Sequence, residues 1–256
     1  MGEQEHPLEG GNVSAGVVRV GETVRKPATA STSAVGSLLR DLETAGFAGA
    51  PRFHGLDERG RQILDYVHGP LADTLPPMSL HDLARVGRLI RGLHEAASAH
   101  VPADDAVWAV EIAPDREDLI CHHDLAPWNL VCADAGWVFI DWDGAGPGSR
   151  LWDLGYAAHG FVPLHAGGTP AIDGPRLRAL VDGYGLPANE RKRLPELMER
   201  HVRGMYELLV DGHLTGRQPW DRLFDEGHGD HWLGAADYIA ANLAFWIGTL
   251  TAGVEE

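Results

Sequence analysis

The sequence predicts an α+β chain in two lobes, a small antiparallel sheet followed by a larger helical part. Two observations carry this. Up to about residue 68, apolar residues alternate in short runs between turn formers, the period-two signature of half-buried strands. Past composition breaks at Gly69-Pro70 and Pro76-Pro77 they recur at helical spacing instead. The lobes are therefore expected at residues 1–68 and 69–256, with a ligand crevice between them.

The elements follow in order. Residues 17–20 and 23–26 flank Gly21-Glu22, a two-residue hairpin turn with glycine where positive φ is wanted. Gly10-Gly11-Asn12 reads as a flexible loop before them. Pro27 ends the hairpin, and a short helix is expected over 33–45, closed by Gly46. Residues 52–56 and 62–67 form a second strand pair around Asp57-Glu58-Arg59-Gly60. Ser79 with Asp82 marks a helix start as an acidic capping box, and Leu83, Val86, Ile90, Leu93 and Ala97 share one face of that helix. Two apolar runs, 119–121 and 137–140, read as strands that pair in a small ribbon. Helices return at Leu151, break in the Gly/Pro-rich stretch 163–175, and continue to a buried final helix over 238–254.

Composition narrows the function classes. The 256 residues hold 21 Lys plus Arg against 37 Asp plus Glu, a formal charge of −16. Such a surface repels nucleic acid and anionic membranes and attracts a cationic small molecule. Two cysteines are too few for a disulfide framework. The polar, acidic opening lacks a basic-then-apolar leader, and the 238–254 run falls short of the ~20 residues of a membrane span. A cytoplasmic protein is expected, without nucleic-acid or membrane partners.

Polar chemistry concentrates in His122-His123-Asp124-Leu125-Ala126-Pro127-Trp128-Asn129. Asp124 and Asn129 stand five residues apart on a loop after an apolar strand, and Ile140-Asp141-Trp142-Asp143 follows seventeen residues past Asp124. Phosphoryl transfer needs this layout: one carboxylate takes the attacking hydroxyl's proton, while an amide oxygen and a second carboxylate hold Mg²⁺ on the phosphates. Competing readings are weaker. Cys121, His122 and His123 are consecutive and would converge poorly on zinc. Gly144 to Ser149 mimics a dinucleotide loop but has serine for its third glycine and an interrupting proline. A Gly-x-x-x-x-Gly-Lys-Ser/Thr motif is absent from the sequence. Asp143 reads either as a second acid beside the metal or as a partner of its own loop.

The run HHDLAPWN resembles the catalytic loop of aminoglycoside phosphotransferases and choline-kinase-like small-molecule kinases, His-Gly-Asp-x-x-x-x-Asn, with His123 in the glycine's place. IDWD resembles that family's metal-binding segment, and Arg91 to Glu95 resembles its upstream Leu-His segment. The resemblance implies a bilobal protein-kinase-like fold, with Asp124 as catalytic base, Asn129 and Asp141 as Mg²⁺ ligands, and Asp153 bracing the loop; His122 reads as a hydrogen-bonding anchor of the same loop rather than a proton-transfer group. It further implies ATP or GTP as phosphoryl donor and a lysine for the phosphates. Lys26 is that lysine by strand alternation, which puts Val24 on its face and Arg25 opposite. The hinge Asp65-Tyr66-Val67 would offer backbone groups to the base. One departure stands out: where the family carries an acid on its first helix to pair the lysine, this chain has Val35-Gly36, and Asp41 and Glu43 lie further along.

The expected activity is transfer of a phosphoryl group to a small-molecule hydroxyl, with an antibiotic favoured over a sugar, amino alcohol or choline-like metabolite. A kinase-like binding module without catalysis is the reading from another class. The helices after Asp153 would shape the acceptor site, with Asp225, Glu226, Asp230 and Asp237 as candidate contacts for a cation.

Overall fold

The computed structural model of the protein describes residues 4–8 and 16–254. The Gly10-Gly11-Asn12 loop lies outside the described residues. β1 (Glu5–Pro7), β2 (Val18–Val20), β3 (Thr23–Lys26), β4 (Phe53–Leu56) and β5 (Gln62–Asp65) form one antiparallel sheet in the order β1-β2-β3-β5-β4. Val20 pairs with Thr23 across the expected two-residue turn, and Gly21 takes φ +60°. α1 (Thr32–Thr44) packs beside the sheet, and Gly46 at φ +77° follows its end. The second strand pair stops at Asp65, short of residue 67, because the chain leaves the sheet there for the connection to the helical part.

α2 (Leu80–Ala97) begins with the expected capping box, Ser79 Oγ accepting from Asp82 N while the Asp82 carboxylate accepts from Ser79 N. Its predicted stripe, Leu83, Val86, Ile90, Leu93 and Ala97, is buried throughout. β6 (Leu119–Cys121), β7 (Leu130–Ala133), β8 (Gly136–Phe139) and β9 (Gly146–Gly148) follow, then α3 (Arg150–Phe161), α4 (Pro170–Tyr184), α5 (Ala188–Arg191), α6 (Leu194–Thr215), α7 (Trp220–Asp225), α8 (His228–Ala241) and α9 (Leu243–Thr251). One core runs from α1 through α2 and α3 to α6, α8 and α9. This is the bilobal, protein-kinase-like arrangement, with sheet first and helices after.

Three expectations need correction. The strands at 119–121 and 137–140 do not pair with each other: β6 pairs with β9, and β8 pairs with β7. Chain proximity decides this, since Gly136 closes a tight β7–β8 hairpin and leaves β6 to meet the strand after Asp143. α4 begins at Pro170, inside the stretch read as a break, with that proline where its missing N–H costs nothing and Pro175 carried within the helix. The terminal apolar run is two helices, interrupted at Asn242, whose side chain caps back onto the Tyr238 carbonyl at 2.8 Å. Only Trp246 and Leu250 of α9 are buried, and Phe245 is exposed.

Candidate active site

The two hairpin-like pairings fix the site. β7 and β8 register Leu130 against Phe139, and Ile140 N donates to the Asn129 carbonyl at 2.8 Å. Asn129 and Asp141 therefore stand at the same open end of this hairpin. β6 delivers the Asp124 loop, while β9, its partner, follows Asp143, so both loops emerge from one framework.

Asp124 is held at both oxygens. Asn129 Nδ2 donates to Oδ2 at 2.7 Å and to the Asp124 carbonyl at 3.0 Å, and the Tyr156 hydroxyl donates to Oδ1 at 2.9 Å. Burial pushes the Asp124 carboxyl up to about 6, helped by the charge of Asp141 and opposed by hydrogen bonds from Tyr156, Asn129 and Trp128. With its amide nitrogen spent on Asp124, Asn129 has its amide oxygen left as an acceptor.

Behind the loop, Asp153 is fully buried on the first turn of α3. Its carboxylate accepts from His123 N at 2.9 Å, His122 N at 3.2 Å and His94 Nε2 at 3.0 Å. Burial pushes its carboxyl upward, but the His94 hydrogen bond and charge outweigh that and hold it near 2. His122 bridges the two loops: Nδ1 accepts from Asp124 N at 3.2 Å and Nε2 donates to the Ile140 carbonyl at 3.1 Å. Burial drops its imidazole to about 4, so it is neutral at pH 7. His123 and Asp141 adopt left-handed backbone, φ 65° and 61°. For non-glycine residues this costs about 1–3 kcal/mol each and persists only where the surroundings enforce it. At His123 the Asp153 bond and a ring contact from Nε2 to the Pro147 carbonyl at 3.0 Å do so.

The strand register places Lys26 toward these loops and Arg25 away. Lys26 Nζ lies 2.5 Å from Asp141 Oδ1 and 2.9 Å from Asp143 Oδ2, whereas Arg25 meets Thr23 and Asp57. Burial would lower the lysine's pKa, but the two carboxylates win and raise it. Lys26, Asp124, Asn129 and Asp141 thus come together, backed by His122 and Asp153. The hinge stands apart. The Asp65 side chain faces away from Lys26 and meets His54 Nε2 at 2.6 Å. The amides of Asp65 and Tyr66 are committed to the Arg52 and Glu22 carbonyls, which leaves Val67 as the hinge amide without a backbone partner among the described residues. Asp65 and Val67 also line a cavity of about 310 Å³ with Leu39, Phe47 and Val138.

Of the four acids expected to face a cation, three have partners: Asp225 with His213, Glu226 with Arg222 and Asp237 with Arg203. Asp230 lines a smaller cavity of about 160 Å³ with the rings of Tyr206 and Phe224. Sequence reading missed Tyr156. Its position three residues after Asp153, one helical turn along the same face, was the available signal.

The Asn129 amide oxygen, on an amide whose nitrogen is bonded to Asp124, and the Asp141 carboxylate are both hard oxygen donors, the type a magnesium ion takes. No helix of the described residues is long and apolar enough to cross a membrane.

Comparison with known proteins agrees with this fold. The trifolitoxin immunity protein of Rhizobium leguminosarum bv. trifolii is 32% identical over 189 residues, covering 68% of this chain and 72% of that protein. The solved amicoumacin kinase in complex with AMP-PNP, Ca²⁺ and Ami superposes with a TM-score of 0.62 at 10% identity, covering 88% of each chain. A choline/ethanolamine kinase family protein from Mesorhizobium loti gives 0.59 at 14% identity, over 94% of this chain and 91% of the other. At these identities the two structures are likenesses of fold. The family model for the phosphotransferase enzyme family matches residues 17–197, and the chain belongs to that family.

Proposed function

We propose that the protein moves the γ-phosphoryl group of ATP or GTP onto a hydroxyl of a small antibiotic-like molecule. The observation that carries this is the joint placement of Asp124 and Asn129, one hydrogen bond apart, with Asp141 at the same hairpin end and Lys26 facing it. In this reading Asp124 receives the acceptor's proton, and its raised pKa suits a base that must also release that proton near neutrality. Asn129 and Asp141 would hold Mg²⁺, which when bound neutralises charge on the phosphates. Lys26 would meet the phosphates, and the hinge 65–67 the base, through Val67's amide. His122 and Asp153 keep the loop in its left-handed turn. The nucleotide lobe ends at residue 68 and the acceptor lobe spans 69–256.

An antibiotic acceptor is favoured because the relative at 32% identity is named for immunity to a toxin. The net charge of −16 favours a cationic one, with Asp230 and its neighbouring rings as the contact. The test is a nucleotide-consumption screen over antibiotics, amino alcohols and sugars, with ATP and GTP, followed by mass analysis of the acceptor. An antibiotic gaining one phosphate is the expected result. Turnover confined to choline-like compounds or sugars would move the acceptor assignment to metabolism, and no turnover with any hydroxylated acceptor would count against transfer altogether.

A further inference from the structure

Lys26 is only 7% exposed, and an ammonium so far from water needs a carboxylate beside it. α1 does not supply one. Its first turn has no acid, and the turn where an acid is expected holds Val35 and Gly36. A Cβ on Gly36 would fall 2.5 Å from the Phe53 ring, so a longer side chain there would displace β4. The two acids of α1 are engaged elsewhere, Asp41 with His100 at 2.6 Å and Glu43 with Arg52 at 3.1 Å. The carboxylates that meet Lys26 come from the opposite side, Asp141 at 2.5 Å and Asp143 at 2.9 Å.

Those two carboxylates have different prospects. A divalent cation held by Asp141 would share that carboxylate's charge and repel the ammonium beside it. Asp143 would then be the carboxylate left to the lysine. Its placement is independent of any metal, because it sits in the single turn Trp142–Gly144, anchored by the buried Trp142 ring, whose Nε1 donates to the Phe139 carbonyl at 2.9 Å. We infer that Asp143 is the standing partner of Lys26, a positioning residue that takes over the part left vacant on the first helix. This rests on the phosphotransferase reading of Lys26 given above.

The test is a double-mutant cycle on nucleotide affinity. Calorimetry would measure ADP binding in saturating Mg²⁺ for the wild type, Lys26→Met, Asp143→Asn and the double variant, each first shown to melt cooperatively. Asp143→Asn keeps Asp141 for the lysine, so it is expected to fold. Loss of a charged phosphate contact should weaken Lys26→Met about 10- to 100-fold. Asp143→Asn alone should weaken binding by up to that amount, and adding it to Lys26→Met should cost less than about twofold more, because the two residues act as one unit. A Mg²⁺ titration at fixed ADP should show the same half-saturating Mg²⁺ in wild type and Asp143→Asn.

Full affinity in Asp143→Asn, or losses that multiply in the double variant, would overturn the pairing. A raised Mg²⁺ requirement that persists in the Lys26→Met background would make Asp143 a metal ligand instead. If Lys26→Met binds as tightly as wild type, the phosphate role of Lys26 falls and this inference with it. If only Asp143→Asn is silent, this inference falls alone.

Discussion

Asp124 is the residue on which the proposed chemistry turns, and its neighbours are those that would prepare a carboxylate as a base. Asn129 and Tyr156 occupy one oxygen each, fixing the plane of the group, while burial raises its proton affinity. Asp124→Asn keeps the shape and removes the proton acceptor, so kcat should fall about 10²–10⁴-fold with little change in nucleotide affinity. Asp141→Asn should behave differently. It strips charge from the place proposed for Mg²⁺, so the Mg²⁺ dependence and productive nucleotide binding should both suffer. Transfer rates and Mg²⁺-nucleotide affinity measured side by side check both, and a folded, fully active Asp124→Asn enzyme would sink this mechanism. Most of the residues in this cluster were legible in the sequence, because short polar motifs after apolar strands survive without any knowledge of packing. Tyr156 was not, since a helix residue inside a buried stretch looks like core until its hydroxyl is seen to reach Asp124.

Among the elements, α2 and α4 show what sequence patterns convey and what they omit. The stripe of α2 announced its buried face, and the capping box announced its start. The patterns gave no sign that two glycines let the helices touch. A Cβ on Gly87 would lie 2.1 Å from the Leu180 carbonyl oxygen, and one on Gly183 would lie 2.1 Å from that of Ala84. These are backbone contacts, so no rotamer change relieves them. Gly87→Ala should therefore destabilise the fold by about 1–3 kcal/mol despite alanine's better helix propensity, lowering Tm by about 2–4 °C per kcal/mol. The same shift would disturb the site at a distance, because α2 carries His94 and α4 carries Tyr184, which meet at 2.9 Å behind Asp153. A thermal melt showing Gly87→Ala at or above wild-type stability would contradict the close approach. The mispaired ribbon has a similar origin. Strand composition predicts that β6 and β8 exist, while their partners depend on the chain's path between them, and the short Gly-Pro-Gly run of β9 has no strand signature of its own to announce its pairing with β6.

Across the whole molecule, burial of neutral histidines makes stability depend on pH. Burial lowers the imidazole of His122 to about 4, and those of His159 and His201 to about 3. In the unfolded chain a histidine titrates near 6.5. Each folded pKa is depressed, so each contributes stability that is present above about pH 6.5 and is lost as pH falls toward 3–4. Asp124 runs the other way: its folded pKa of about 6 exceeds the unfolded carboxylate value, so its contribution is present below about pH 4 and lost as pH rises through 6. Near pH 5 these four groups together leave the unfolded chain with roughly two protons more than the fold, so stability should fall steeply between pH 6.5 and 5. His201 allows this to be tested one group at a time. Its ring is stacked between Trp152 at 4.4 Å and Tyr156 at 4.7 Å, and its polar contact is a long 3.4 Å approach to the Trp152 carbonyl. His201→Phe keeps the stack and removes the titration. The stability difference between His201→Phe and wild type should therefore move in the variant's favour by about 1.4 kcal/mol per pH unit below 6.5, or about 2 kcal/mol by pH 5. Urea unfolding of both proteins at pH 7, 6 and 5 measures this, and a gap that stays constant with pH would mean that the folded protein takes up a proton at His201 as readily as the unfolded chain does.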